Sequence, residues 1–222
     1  MSDGFDALID DALAFFRELA ANNSKDWFDP RKDDYVSRIR KPAEFMADLV
    51  AEDLSRLSGV SFKPKVFRIY RDVRFSKDKT PYNAHLHVSW FPGGDGPRAG
   101  WFLGAAPEYL FLGAGAPGPQ GPALTRLRAA LDRDGDAFVD AMDRAADGVG
   151  AKLHAFGAPP LKRVPKPFAP DHPHAELLKR KGIVLGADLP DGWRDDGLTS
   201  TLRRLAKGLE PARAWLDSAL TA

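Results

Sequence analysis

The chain has 222 residues, a net charge of +1, and 44% hydrophobic and 28% charged residues, proportions that are typical of a globular protein. Because it contains no cysteine, disulfides, thiolate metal sites, iron–sulfur clusters and a cysteine nucleophile are excluded. Its acidic N-terminus lacks the basic stretch of a signal peptide, and no run of about 18 apolar residues predicts a membrane span. We therefore expect a cytoplasmic protein without a membrane partner.

The N-terminal quarter of the chain has the apolar periodicity of helices. Residues 3 to 21 repeat apolar side chains at helical spacing, with Asp3 as the expected cap. The pair Asp29-Pro30 predicts the start of a second helix, and Pro42 should kink or restart it. Residues 43 to 57 predict a third helical segment.

The pattern then changes to the alternation of β-strands. Four segments, separated by short turns with Gly and Pro, predict strands: residues 66 to 75, 84 to 91, 100 to 106 and 108 to 113. Consecutive strands with short turns are typical of an antiparallel meander. We therefore predict an α+β fold. An antiparallel sheet of about four or more strands, within about residues 62 to 113, packs against the N-terminal and C-terminal helices.

The C-terminal half predicts further helices after a loop rich in Gly and Pro at residues 114 to 122. A helical pair follows this loop, and residues 175 to 185 predict a short helix or strand. Residues 197 to 220 read as a helix that is interrupted near Gly208 and Pro211. Since neither half has an obvious core of its own, we expect one domain over the whole chain, residues 1 to 222.

Positive charge is concentrated in two segments of the chain. Seven basic residues oppose two acidic ones between Phe62 and Tyr82, and seven oppose two between Lys152 and Lys181. Each segment therefore has a net charge of about +5, and the remainder is acidic, since the whole chain has a net charge of +1. Segregated charge produces a local potential even when the total is near zero.

The predicted strand at 66 to 75 places arginines on both of its faces. Arg68 and Arg74 share one face, whereas Arg71 projects among apolar side chains on the other. Arginine is suited to bidentate contact with phosphate or carboxylate, and loops at strand ends often form sites. We expect an anion to be bound by Arg68, Arg71, Arg74, Lys77, Lys79, Lys162, Arg163 and Lys166. The last three would complete the rim if the fold brings the two segments together.

Two residues of the first segment are candidates for a catalytic role. Asp72 would orient the guanidinium groups or act as a base, and the Tyr82 phenol would donate a hydrogen bond. Whether a reaction follows binding is open. Two alternatives also remain open: a nucleic-acid-binding accessory protein, and a structural or interaction module whose arginines pair with the protein's own carboxylates.

The histidines form two pairs with a spacing of two residues, His85 with His87 and His172 with His174. Such a pair can contribute to a zinc site, but a third ligand is needed. We therefore expect no metal, and nothing in the sequence indicates a cofactor.

Three segments resemble the family called domain of unknown function 2461: Asn23 to Phe28, Phe67 to Tyr82, and Leu161 to Lys166 with Asp171 to Pro173. Their order and approximate spacing match over about residues 5 to 218. The resemblance implies one domain and a set of hallmark residues that includes Arg68, Arg71, Asp72, Arg74, Lys77, Lys79 and Tyr82, with Lys162, Arg163 and Lys166 as a second cluster. It implies no activity. The chain departs from the family pattern at Ala114 to Pro122, where a bulky aromatic residue is expected.

Overall fold

The structure, a computed structural model, describes residues 4–94, 96–154 and 158–222; Asp3, the predicted cap of the first helix, lies outside them. Helix α1 spans Asp6–Ala21 and ends at Asn22, whose side-chain amide donates to the Glu18 carbonyl at 2.9 Å. Its buried face repeats at helical spacing and consists of Leu8, Ile9, Ala12, Phe16 and Leu19. The periodicity therefore predicted the helix and its buried stripe.

A second helical stretch runs almost without a break to Ser58. It consists of α2 (Lys25–Phe28), a 3-10 turn (Asp29–Arg31), α3 (Lys32–Tyr35), a π-helical turn (Val36–Arg40) and α4 (Lys41–Ser58). Pro42 lies in the first turn of α4, where its missing N–H costs no hydrogen bond. The predicted restart of the helix at Pro42 is therefore confirmed, and the π-helical turn is where the helical register changes.

Six antiparallel strands form one sheet, and the predicted α+β class is confirmed. The strands are β1 (Phe62–Val66), β2 (Leu86–Pro92), β3 (Gly100–Ala106), β4 (Tyr109–Ala116), β5 (Lys152–Leu153) and β6 (Ile183–Asp188). Their order is β1-β2-β3-β4-β6-β5, so β6 lies between β4 and β5. Strands β2 to β4 match the predicted strands at 84 to 91, 100 to 106 and 108 to 113, whereas β1 lies earlier than the first predicted strand and β5 and β6 extend the sheet beyond the prediction.

The predicted strand at residues 66 to 75 is wrong. The ladder between β1 and β2 ends at Val66. The Phe67 amide still donates to the His87 carbonyl at 2.9 Å, and beyond Phe67 the chain turns away from the sheet. One isolated bridge, Tyr70 to Tyr82, is the remaining strand pairing within this stretch. Carboxylate and hydroxyl side chains in the stretch hydrogen-bond to local backbone and to arginines, which competes with a ladder.

The C-terminal helices are α5 (Gly121–Val149), α6 (Ala175–Leu178), α7 (Trp193–Asp196) and α8 (Leu198–Thr221). The predicted helical pair is confirmed, because α5 consists of two helical segments that meet at a kink at Asp134, where φ is −143° and ψ is 32°. The predicted interruption of the last helix is wrong, because α8 continues through Pro211. Packing of α8 on α4, α5 and β4 offsets the hydrogen bond that proline removes.

The helices cover one face of the sheet. Trp90, Trp101, Leu103, Leu112 and Leu185 point into the core between that face and the helices. Residues at alternate positions, among them His87, Phe91, Phe102 and Phe111, lie on the opposite face. No helix in the described ranges is long and apolar enough to cross a membrane.

Candidate functional site

The arginine loop, residues 67–85 between β1 and β2, packs on the start of the second helical stretch. The Asn23 side chain bonds both backbone groups of Tyr82: its amide donates to the carbonyl at 2.9 Å, and its oxygen accepts from the N–H at 3.1 Å. The rings of Phe28 and Tyr82 lie 4.4 Å apart. Two segments that carry the family resemblance, 23–28 and 67–82, therefore contact each other in the fold.

Arg71 is engaged within the arginine loop. One guanidinium nitrogen donates to the Asp78 carboxylate at 2.6 Å and to the Thr80 carbonyl at 3.0 Å, and it also contacts the Thr80 hydroxyl. Hydrogen bonds from the Thr80 amide, then from Arg71 and the Thr80 hydroxyl, lower the pKa of Asp78 to about 2. Arg71 therefore stabilises the shape of the loop, and it does not project among apolar side chains as the strand prediction required.

Arg74 and Asp72 form a second internal pair. The Arg74 Nε donates to Asp72 at 2.9 Å, and a terminal nitrogen donates to the other carboxylate oxygen at 2.7 Å. The hydrogen bond from the Arg74 side chain is the main reason why the pKa of Asp72 is lowered. Because both carboxylate oxygens are engaged, Asp72 is poorly placed to act as the base that the sequence suggested.

The remaining loop cations differ in their engagement. The Lys79 ammonium donates to the Val73 carbonyl at 3.0 Å and lies 3.5 Å from the Arg74 carbonyl, so it closes the tip of the loop. Lys77 is exposed and has no hydrogen bond or ion pair to the described residues. Tyr82 is buried, and burial raises the pKa of its phenol, so it is protonated at neutral pH.

Arg68 has no ion pair with any described residue and lines a pocket of about 250 Å³. We call this the Arg68 pocket; it is lined by Phe28, Lys32, Tyr35, Val36, Arg40, Arg68, Ile69 and Tyr70. The rings of Phe28, Tyr35 and Tyr70 form its aromatic wall: the centroid of Phe28 lies 5.7 Å from Tyr35 and 6.0 Å from Tyr70. The pocket thus joins three consecutive residues of the arginine loop, Arg68 to Tyr70, to one face of the helical stretch.

Three cations line the Arg68 pocket, and one of them is paired. The Arg40 Nε donates to Glu44 at 2.5 Å, and its terminal nitrogen donates to the Val66 and Phe67 carbonyls at 3.2 Å each. Lys32, like Arg68, has no ion pair with the described part of the chain. Burial raises the pKa of Tyr35 despite the opposing influence of Arg40, so its hydroxyl keeps its proton at neutral pH. The pocket therefore offers hydrogen-bond donors and positive charge.

Sequence reasoning missed the helical half of this pocket. Its members Phe28, Lys32, Tyr35 and Val36 recur at the spacing of one helical face, which is visible in the sequence. That spacing does not say what the face contacts. The contact is made by Asn23 and Phe28, which hold the arginine loop against the helices.

The second basic segment lines a separate pocket of about 670 Å³. We call this the Lys162 pocket; it is lined by Lys162, Arg163, Val164, Lys166, Pro167, Phe168, Ala169, Pro170 and Lys179. Lys179 is paired with Glu176 at 2.6 Å. Lys162, Arg163 and Lys166 are exposed and have no ion pair with described residues. The three predicted rim residues are therefore together, but in a pocket of their own.

The fold does not bring the two basic pockets together. The arginine loop leaves the β1 edge of the sheet, and β6, which follows the second segment, lies four strands away. At about 4.8 Å per strand the separation across the sheet is roughly 19 Å. The loop also lies at the end of β2 that starts at Leu86, whereas β6 begins at Ile183, opposite Ala116 at the other end. The condition for a rim shared by both clusters is therefore not met, and each cluster lines its own pocket.

The two histidine pairs contact different parts of the fold and do not form a shared metal site. The rings of His85 and His87 stack at 3.8 Å, and the His87 Nε2 lies 2.8 Å from the Tyr109 hydroxyl. His172 and His174 instead contact Asp132 and Asp136 of α5 at 3.1 and 3.2 Å. Within the described ranges no three His, Asp or Glu side chains converge to hold a metal ion.

Within the described residues, fold and site together define an α+β protein that has a six-stranded antiparallel sheet and two separate basic pockets lined by helices and loops outside the strands. The family described as conserved hypothetical protein (DUF2461) matches residues 11–215, and the chain belongs to this family. The resemblance of the three sequence segments is thereby confirmed. No curated protein and no solved structure matches the chain.

Proposed function

We propose that this protein binds a small phosphorylated or otherwise anionic molecule in the Arg68 pocket. The observation that carries the proposal is the combination of two unpaired cations, Lys32 and Arg68, with an aromatic wall in one concave site. Guanidinium groups bind phosphate and carboxylate in a bidentate manner. A guanidinium without a protein carboxylate at the mouth of a pocket is free to make that contact.

The geometry supports binding more than catalysis. The residues of the Arg68 pocket supply cations, phenols and apolar surface, but no carboxylate and no imidazole. Asp72, the predicted base, has both oxygens on Arg74, and the Tyr82 phenol packs against Phe28. A volume of about 250 Å³ favours a small ligand such as a phosphorylated sugar over a larger molecule.

The alternatives have weaker support. A single nucleic-acid track would join the basic clusters into one surface, but they lie about four strand spacings apart across the sheet. The alternative of a structural module with internally paired arginines fits Arg71 and Arg74, which contact Asp78 and Asp72. It does not describe Arg68, whose guanidinium has no such partner among described residues.

Replacing Arg68 with alanine is expected to weaken anion binding by about 10- to 100-fold, because a hydrogen bond to a charged group contributes about 1.5–3 kcal/mol. Isothermal titration calorimetry with inorganic phosphate, pyrophosphate, sugar phosphates and nucleotides would measure the effect. Lys77→Ala is the matched control, since it removes an exposed cation from the same loop away from the pocket. Its affinity should equal that of the wild type.

Two outcomes would contradict this proposal. One is the absence of binding for every anion tested. The other is binding that survives Arg68→Ala but is lost in Lys166→Ala, which would assign the ligand to the Lys162 pocket. Lys32→Ala should reduce the affinity less than Arg68→Ala, because a lysine offers a single ammonium and not a bidentate fork.

A further inference from the structure

The face of the sheet that the helices leave uncovered contains a second kind of cavity, which is apolar. We call this the sheet-face pocket; it has a volume of about 360 Å³ and is lined by Phe67, His87, Val88, Phe91, Phe102, Leu103, Gly104, Phe111 and Pro117. This volume lies within the range of about 300–1,000 Å³ that is usual for small-molecule sites. None of its lining residues belongs to the Arg68 pocket.

The Phe111 ring lines the sheet-face pocket and lies against two glycines of the sheet. A Cβ atom at Gly104 would lie 2.5 Å from the Phe111 ring, and one at Gly113 would lie 3.2 Å from the same ring. The Phe111 ring therefore lies flat against the sheet at positions where any larger residue would displace it. Phe91 and Phe102 add an edge-to-face pair with centroids 5.3 Å apart. The pocket is therefore bounded largely by phenylalanine rings, with Gly104 of the sheet among its lining residues.

The aromatic side chains of this face are buried without being part of the helix-side core. Phe102 and Phe111 are both buried, yet neither belongs to the cluster that fills the space between sheet and helices. Buried apolar surface on a sheet face without covering helices is suited to an apolar ligand.

Polar groups occur at two places in or beside the pocket. His87 lies in the wall with its Nε2 at 2.8 Å from the Tyr109 hydroxyl. Along the edge, Lys63 and Lys65 of β1 stand on the same face, opposite Phe91 and Ser89. The Lys65 ammonium lies 5.2 Å from the centroid of the Phe67 ring, which lines the pocket, and neither lysine has an ion pair with described residues. Asp188 lies on the same face opposite Phe111, but its carboxylate is paired with Lys152 at 2.9 Å, so the charge beside the cavity that has no ion pair with described residues is positive.

We propose that the sheet-face pocket binds a small amphipathic carboxylate, with its chain or ring among the phenylalanines and its carboxylate at Lys65. Apolar walls supply the affinity, since each buried methylene contributes about 0.8 kcal/mol. The edge lysines determine the orientation, because they are the cations that flank the cavity. This site is independent of the Arg68 pocket and of any function assigned there.

The test uses the uncharged fluorophore N-phenyl-1-naphthylamine as a reporter on the full chain and decanoate as the competitor. Wild-type protein should bind the fluorophore saturably at about one site. Phe67→Glu should lose this binding, because it places a charge in the wall of the cavity. Phe75→Glu is the matched control: it introduces the same charge in the same loop at a side chain that is 97% exposed and outside the pocket. Arg68→Ala should bind the fluorophore like the wild type.

The carboxylate part of the proposal is tested separately with decanol, which has the same chain without the charge. Decanoate should displace the fluorophore more strongly than decanol at the same concentration, because both bury the same chain and only decanoate carries a charge. Lys65→Gln should weaken decanoate about two- to fivefold, the size of an exposed ion pair, and leave the fluorophore unchanged. Equal potency of decanoate and decanol would overturn this part.

Fold integrity decides how the result for Phe67→Glu is read, so near-ultraviolet circular dichroism and urea midpoints accompany each titration. Phe67 is 43% exposed and its backbone N–H makes the ladder contact, so the substitution leaves that hydrogen bond in place. If Phe67→Glu fails to fold, Phe67→Gln takes its place with the same expected loss. No fluorophore binding to the wild type, or equal binding by wild type, Phe67→Glu or Phe67→Gln, and Phe75→Glu, would overturn the proposal.

Discussion

Replacing Arg213 with alanine is expected to lower the free energy of unfolding by about 3–5 kcal/mol, because it removes a buried guanidinium and leaves the largely buried Glu210 carboxylate without its partner. The Arg213 side chain is 3% exposed. It forms a bidentate pair with Glu210 at 2.7 and 2.8 Å and donates to the Ala99 carbonyl at 3.2 Å. The hydrogen bond to Ala99 joins α8 to the residue that precedes β3. Urea denaturation at neutral pH would measure the loss.

The neighbourhood of Arg213 explains why the effect is large. Burial on its own would raise the pKa of Asp217, but hydrogen bonds from Arg98 and the Ala99 amide outweigh it and lower that pKa. Arg213 lies 3.8 Å from the same carboxylate, and its guanidinium also lies 5.4 Å from the Phe62 ring centroid. Removing one member therefore disturbs a network in which every group is engaged.

Two further variants separate the loss of this pair from a general effect of removing charge. Arg204, like Arg213, lies on α8, and Arg204→Ala removes an exposed pair with Asp196 of α7 and should change the free energy of unfolding by less than about 1 kcal/mol. Arg213→Met with Glu210→Gln removes the guanidinium together with the charge it neutralises, and should recover part of the loss. An effect of Arg213→Ala no larger than that of Arg204→Ala would contradict the argument.

The sequence predicted the sheet well where alternation and turns agree. Within the predicted strand at 84 to 91, Leu86, Val88 and Trp90 recur at every second position and face the core, and β2 (Leu86–Pro92) forms there. At residues 66 to 75 the same alternation occurs in a loop. Apolar residues from Phe67 to Phe75 occupy every second position there except at Arg71, but local pairs of Arg71 with Asp78 and of Arg74 with Asp72 replace the ladder. A recurrence of apolar residues at every second position does not by itself distinguish a strand from a loop.

The candidate site was predictable in composition but not in geometry. Counting charges located both basic segments, and their cations line two pockets. A count of charges does not show where the segments lie in the fold. Because β6 pairs with β4 and β5 lies outside it, the second basic segment is at the opposite edge of the sheet from β1. Which arginine is unpaired also depends on contacts: Arg68 and Arg74 were predicted to share one face, yet only Arg74 has a carboxylate partner among described residues.

The protein should lose stability when the pH falls from about 6.5 to 4, and His87 should account for a measurable share of the loss. Burial, and then repulsion from His85, lower the pKa of His87 from 6.5 to about 4. Between these pH values His87 is protonated in the unfolded chain but stays neutral in the folded protein, so the free energy of unfolding decreases as the pH falls. After a discount for partial exposure of the ring, the contribution is about 2 kcal/mol.

His87→Gln should remove that share of the acid sensitivity. Glutamine places an uncharged amide near the position of Nε2, where the Tyr109 hydroxyl lies at 2.8 Å, so the hydrogen bond is preserved without a titrating group. Urea denaturation at pH 7.5 and pH 4.5 would give the two differences to compare. The variant should lose less stability than the wild type between these values.

Tyr109→Phe separates the titration of His87 from its hydrogen bond. It removes the hydroxyl but leaves the imidazole in its place beside His85, so it should destabilise the protein by about 0.5–1.5 kcal/mol at both pH values. Its slope with pH should stay close to that of the wild type, since the buried imidazole still resists protonation. Equal pH slopes for wild type and His87→Gln would show that this ring is not the source of the acid sensitivity, because a neutral amide at position 87 has nothing to titrate.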